Sequence, residues 1–191
     1  MTFHELVEKA RSVRGYDESR SISREEMLEL VDCARLTPSA ANRQPLKYAL
    51  VHEKDEVSRM LALTRWGGAL PERHLPDPGR GPAAFIVILQ ETEWVRDAAG
   101  IQRDVGIAAQ TLLLAAAEKG LGGLMIGAFD PAGVKELLKL PDHLVPQLLL
   151  ALGKPDETIV LTEVKDGVTR YWRDEHDTHY VPKRRLEDII Y

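Results

Sequence analysis

Short apolar runs separated by polar and Pro/Gly-rich punctuation predict the elements of this chain in order. The opening segment, just ahead of Arg11, is amphipathic and predicts a short helix. Residues 23–26, SREE, match a capping box: the Ser23 hydroxyl can accept from a backbone N–H while the Glu26 side chain reaches back, so a helix starts there. Met27, Leu30, Val31 and Ala34 then recur at three- and four-residue spacing as one buried stripe, and Pro38 stops the pattern. TPSAANRQP, residues 37–45, is therefore a loop leaving a helix. LKYALVH (46–52) and AAFIVIL (83–89) are short, apolar and partly β-branched and predict strands, the second of them central.

Between these strands, residues 67–82 (GGALPERHLPDPGRGP) hold four Pro and four Gly in sixteen positions. That density excludes regular structure over most of the stretch and predicts a long surface loop, or a lid. VGIAAQTLLLAAA (105–117) has only Gln110 and Thr111 as polar members and predicts a helix buried nearly all round. In a chain of this size such a helix implies a subunit interface as well as a core. Gly120, Gly122 and Gly123 are expected to end it. LMIGAFDP (124–131) predicts a strand turning into a helix near Pro131, where a missing N–H costs nothing. VPQLLLALG (145–153) predicts a further strand, and residues 158–172 alternate weakly around Asp166-Gly167, as a terminal hairpin does.

Composition narrows the class without changing that map. At 191 residues, 44% hydrophobic and 29% charged, the chain has the size and balance of one ordinary globular domain, residues 1–191. A formal net charge of −5 argues against a general nucleic-acid surface, so any anion site must be local. The lone Cys33 has no intramolecular disulfide partner and is expected to be a small core residue. The first residues contain no apolar run of signal-peptide length, and no run reaches the ~18 residues of a membrane span. A reducing cytoplasm and no membrane partner are the expectations.

Several sites are excluded by their spacing. GLGGLMIG (120–127) lacks the third-glycine spacing of a dinucleotide loop and follows a helix where a strand is required. DEHDTH (174–179) sets His176 and His179 three apart among acids, but without a second ligand cluster it reads as a solvated polar turn. No GxSxG, HExxH or GxxxxGK[ST] pattern occurs, so neither a catalytic side chain nor a metal site is expected. Two basic clusters remain. Arg11, Ser12 and Arg14 combine permanent charge with a hydroxyl, a set suited to phosphate, although a solvated helix end has the same composition. Lys183, Arg184 and Arg185 form the second cluster, too small for a nucleic-acid patch.

RSVRGYD (11–17), PSAANRQP (38–45), DVGIAAQTLLLAAAEKGLGGLMIGAFDP (104–131) and KRRLEDII (183–190), in that order, together resemble the FMN-dependent nitroreductase family over nearly the whole chain. The resemblance implies a homodimeric α+β fold with a central, mostly antiparallel sheet flanked by helices, a long central helix at the dimer interface, and two FMN molecules bound between subunits. By position it implies that Arg11, Ser12 and Arg14 hold the FMN phosphate and ribityl chain from one end of the chain, and Lys183 and Arg185 from the other, with Arg184 pointing away. Pro38, Ser39, Ala40 and Asn42 would line the partner's flavin, with Gln44 either joining them or tying down the loop. Ile126, Gly127 and Ala128 would bring backbone N–H groups near flavin N5. Ala10 and Leu46 depart from the Arg and Trp that many relatives carry there. The implied activity is ping-pong transfer of electrons from NADH or NADPH, through FMN, to a small-molecule acceptor such as a nitroaromatic or quinone. A specialised relative such as a reductive dehalogenase and a non-catalytic flavin carrier or sensor are the competing readings.

Overall fold

The capping box at Ser23 forms as its sequence requires: Glu26 N–H donates to Ser23 Oγ at 3.2 Å and Ser23 N–H to Glu26 Oε2 at 3.0 Å. A second box, built by Thr2 and Glu5, caps the opening helix. The computed structural model describes residues 1–68, 70, 73–95 and 100–191; within the predicted 67–82 loop, residues 69, 71 and 72 lie outside the described residues. The elements are α1 (Phe3–Lys9), β1 (Tyr16–Asp17), α2 (Arg24–Arg35), a 3₁₀ turn (Ala40–Asn42), β2 (Leu46–Val51), α3 (Lys54–Ala62) and β3 (Ala84–Glu91). Then follow α4 (Ile101–Glu118), β4 (Gly122–Ile126), α5 (Pro131–Leu137), β5 (Leu144–Pro155), β6 (Ile159–Glu163), β7 (Trp172–Arg173) and β8 (His179–Lys183).

The main sheet runs β1-β5-β3-β2, with β4 also on β5, and every pairing in it is antiparallel. β3 is buried along its whole length, which the apolar run at 83–89 predicted. Its period-two alternation sorts the core into two halves. Ala84, Ile86 and Ile88 pack with Met27 and Leu30 of α2 and with Ala108 and Leu112 of α4. Phe85, Val87 and Leu89 pack with Val57 and Met60 of α3 and with Val134 of α5. Helices thus cover both faces of an α+β sheet. None of the described helices is long and apolar enough to cross a membrane.

Three sequence expectations are corrected, and a fourth, the burial of α4, is met on one side within the single chain. Cys33 is exposed, because it sits about 100° round α2 from Ala34, beyond the buried stripe of Met27, Leu30 and Ala34. α4 is not buried all round: the side bearing Val105, Ala108, Leu112 and Ala116 is covered, while Gly106, Ile107 and Gln110 are exposed in the single chain. Gly120, at φ +76°, does end α4, but Gly122 and Gly123 belong to β4. The 158–172 hairpin shrinks to one bridge, Lys165 to Val168; β6 pairs instead in parallel with β8, and β7 pairs antiparallel with β8.

Candidate functional site

The N-terminal basic segment is held in place by its backbone. Val13 N–H donates to Gly123 O at 3.0 Å, Ser12 bridges Gly123, and Tyr16 pairs with Pro155 of β5. A Cβ on Gly123 would come within 2.7 Å of the Ala151 carbonyl oxygen and 2.6 Å of Leu113, so only glycine lets this crossing close. From the other end of the chain, β8 lies between β6 and β7 and carries His179, Val181 and Lys183 on alternate positions. The two segments meet at a cavity of about 290 Å³ lined by Arg11, Ser12, Arg14, Lys183, Tyr171 and His179, with Gln110 and Leu113 of α4 and Met125 of β4.

Three permanent cations and a hydroxyl therefore face one hollow. Arg14 is 8% exposed; its guanidinium lies 4.8 Å from the Tyr171 ring centroid, a cation–π contact, and its Nη1 donates to Ser12 O at 3.2 Å. Arg11 Nη2 donates to Val7 O at 2.6 Å. The Nε atoms of Arg11 and Arg14 are buried without a hydrogen-bond partner, unmet donors of about 1–3 kcal/mol each that an anion could satisfy.

Behind the cavity, a buried ionic cluster joins the two ends of the chain. Glu157 Oε1 accepts the Arg14 backbone N–H, and Glu157 Oε2 pairs with Arg173 Nη2, with side chains 0% and 3% exposed. Asp177 accepts from Arg173 at 2.9 Å, from Arg80 at 3.1 Å and from Arg73 at 2.5 Å, tying loop 73–80 to the β7–β8 turn. Burial pushes the Asp177 carboxyl up, but the three guanidinium groups outweigh it and hold it at about 2 against an ordinary 3.8. His179, 1% exposed, is pushed down to about 4 from 6.5, first by burial and then by the charges of Arg14 and Arg173. The expectation of a solvated turn at 174–179 therefore fails for His179, whose place in the middle strand of the small sheet is set by non-local pairing; His176 is exposed.

These shifts fix the acid response. Between pH 6.5 and about 4 the unfolded chain binds a proton that folded His179 refuses, so stability declines as pH falls through that window. Between 3.8 and about 2 the unfolded Asp177 protonates while the folded carboxylate does not, giving a second loss. Urea midpoints followed downward from neutral pH should fall in both windows, and His179→Phe should flatten the upper one. A variant that keeps the upper slope contradicts the assignment.

The other sequence-predicted residues lie elsewhere in the single chain. In the 37–45 loop, Ala41, Asn42 and Gln44 all have φ near +50°, a strained run that costs roughly 1 kcal/mol or more per non-glycine residue. Asp104, buried at the start of α4, accepts from Ala40 N–H at 3.3 Å, and Ser39 Oγ accepts from Gln44 N–H at 3.0 Å. Pro38, Ser39 and Gln44 line a second cavity of about 230 Å³ with Tyr48, Trp94 and Asp104; Ala40 and Asn42 are exposed beside it. Ile126 is buried at the end of β4, Gly127 and Ala128 are exposed, and Ala128 lines a third hollow with Arg65 and Phe129. Arg185 does not line the cationic cavity: it is exposed past the end of β8, paired with Glu163 at 3.3 Å and Glu187 at 3.8 Å. The sequence reading missed Tyr171, Glu157 and Arg173 and set His179 aside as a turn residue; their proximity depends on the parallel β6–β8 pairing, a contact with no local signature. Among the described residues, Glu91, Glu93 and His143 are close enough to share an ion, but Lys47 Nζ already sits 2.8 Å from Glu91.

Comparison with known proteins follows the same outline. The family model described as Nitroreductase family matches residues 7–154. A protein of Methanothermobacter thermautotrophicus, provisionally named NADH dehydrogenase/NAD(P)H nitroreductase, is 26% identical over 163 residues, 80% of this chain and 77% of its own. The nitroreductase family protein of Streptococcus pneumoniae TIGR4 superposes with a TM-score of 0.70 at 21% identity, over 100% of this chain and 99% of the other. A provisionally named nitroreductase of Exiguobacterium sibiricum, solved in complex with FMN, gives 0.68 at 22% identity over 82% and 90%. At these identities the two solved structures establish the fold alone.

Proposed function

The chain belongs to the nitroreductase family, and from that premise we propose that it is an NAD(P)H-dependent flavin oxidoreductase with FMN anchored by its phosphate at Arg11, Ser12, Arg14 and Lys183. The observation that carries the reading is the convergence of cations from both ends of an acidic chain on one hollow. The donor chemistry fits a phosphate: buried guanidinium N–H groups without partners give charge-assisted bonds roughly twice as strong as neutral ones.

Held by these residues, FMN would supply the redox chemistry that links NADH or NADPH to an acceptor such as a nitroaromatic or a quinone, in ping-pong order. This chain's residues bind and orient. Ile126 ends β4 next to Met125 of the cavity, and Gly127 and Ala128 follow just beyond the strand; by position these three would offer backbone N–H groups to the flavin. Gly127 has no neighbour within 4 Å of a would-be Cβ, which keeps that approach open. Pro38, Ser39 and Gln44 line a different hollow of the same chain, with Ala40 and Asn42 exposed beside it, so this loop would serve the flavin from a second copy. The open side of α4, with Ile107 39% exposed, is the face on which that copy docks.

Purified protein should therefore be yellow, release FMN, and oxidise NADH or NADPH when a quinone or nitroarene is supplied. An FMN-loaded protein inert to both nucleotides would support the carrier reading, and failure to take up FMN would contradict both. Sedimentation should give a dimer; a stable FMN-bound monomer contradicts the two-copy site.

A further inference from the structure

His179 is a polar side chain buried without a hydrogen-bond partner. The backbone fixes its position: its N–H donates to Thr158 O at 2.8 Å, and it sits where β8 pairs with both β6 and β7. It is 1% exposed, its ring meets Tyr171 edge-on at 5.2 Å, and neither Nδ1 nor Nε2 has a hydrogen-bond partner. A neutral imidazole carries one donor and one acceptor, so both are unmet. An aromatic ring without nitrogens would pack here with no such penalty. The imidazole lines the same cavity as Arg11, Ser12, Arg14 and Lys183.

We propose that His179 is a further ligand of that cavity, donating a ring N–H to the phosphate of bound FMN beside the guanidinium of Arg14. The inference rests on the flavin reading above. The nitrogens are covered, so reaching the anion takes a rotation of the ring about χ2, a soft torsion for an imidazole. The ring is neutral at physiological pH because burial and the charges of Arg14 and Arg173 disfavour its cation. It therefore adds a donor without adding a fourth charge to Arg11, Arg14 and Lys183. A group of this kind distinguishes a phosphorylated flavin from riboflavin by geometry as well as charge.

Flavin-fluorescence titration of flavin-stripped wild type, His179→Phe and His179→Gln with FMN and with riboflavin tests this. His179→Phe should weaken FMN about tenfold, leave riboflavin unchanged and fold at least as stably as wild type, while the Gln variant, which keeps a donor, recovers part of the loss. Equal FMN affinity in wild type and His179→Phe overturns the proposal while leaving the flavin reading intact; an equal loss of both flavins overturns the phosphate contact. A wild type that binds neither flavin removes the flavin reading and this one with it. The ¹⁵N resonances of the wild-type His179 ring provide a mutation-free check: they should shift on saturation with FMN and not with riboflavin, and ring signals indifferent to FMN overturn the contact.

Discussion

Glu157→Gln should cost the fold about 3–5 kcal/mol, the usual consequence of removing one partner from a buried ion pair. Glu157 and Arg173 have side chains 0% and 3% exposed, and the same carboxylate accepts the Arg14 backbone N–H. The amide cannot neutralise Arg173 and leaves its charge to Asp177 alone. Against a total stability of roughly 5–15 kcal/mol for a domain, such a loss moves the urea midpoint far. The damage should also reach the cavity, because Glu157 links the segment bearing Arg14 to the small sheet, whose β8 bears His179 and Lys183 and whose β7 follows Tyr171. A loss below about 1 kcal/mol, the range of an exposed pair, would show that the cluster is not the clasp described here.

Arg14→Ala should weaken FMN by about 10- to 100-fold, the equivalent of about one charge-assisted hydrogen bond to a phosphate. Arg14 is the most enclosed cation of the cavity and is held against Tyr171 at 4.8 Å. Arg14→Lys should restore little, since an ammonium keeps the charge but loses the planar fork and the stacking. Dialysis followed by flavin quantitation measures the effect, and unchanged occupancy in Arg14→Ala counts against its assignment to the phosphate.

What the sequence could convey was local. The Ser23 box, the stripe of Met27, Leu30 and Ala34, the apolar run of β3 and the Asp130-Pro131 start of α5 are each written within a few residues, and each forms where its pattern places it. The misreadings depend on distant partners. Asp166-Gly167 does make its turn, but β6 finds β8 rather than the strand beyond that turn. His179 looks like a solvated turn residue until β8 is inserted between β6 and β7. Gly122 and Gly123 look like helix terminators until the approach of Val13 to β4 gives them a packing reason. The candidate site divides the same way. Motif order brought Arg11, Ser12, Arg14 and Lys183 into view, whereas Tyr171 and His179 carry no motif and are found only through the cavity. Arg185, two residues beyond Lys183, is paired with Glu163 and Glu187 once β8 has ended.

A crystal structure of the FMN-loaded protein is the most direct test of the central claim. The account predicts the phosphate oxygens at about 2.7–2.9 Å from donors of Arg11, Ser12, Arg14 and Lys183 of one protomer, with the 38–44 loop of its partner over the ring. A phosphate held elsewhere, for instance at the exposed Arg65 beside Ala128, would contradict it.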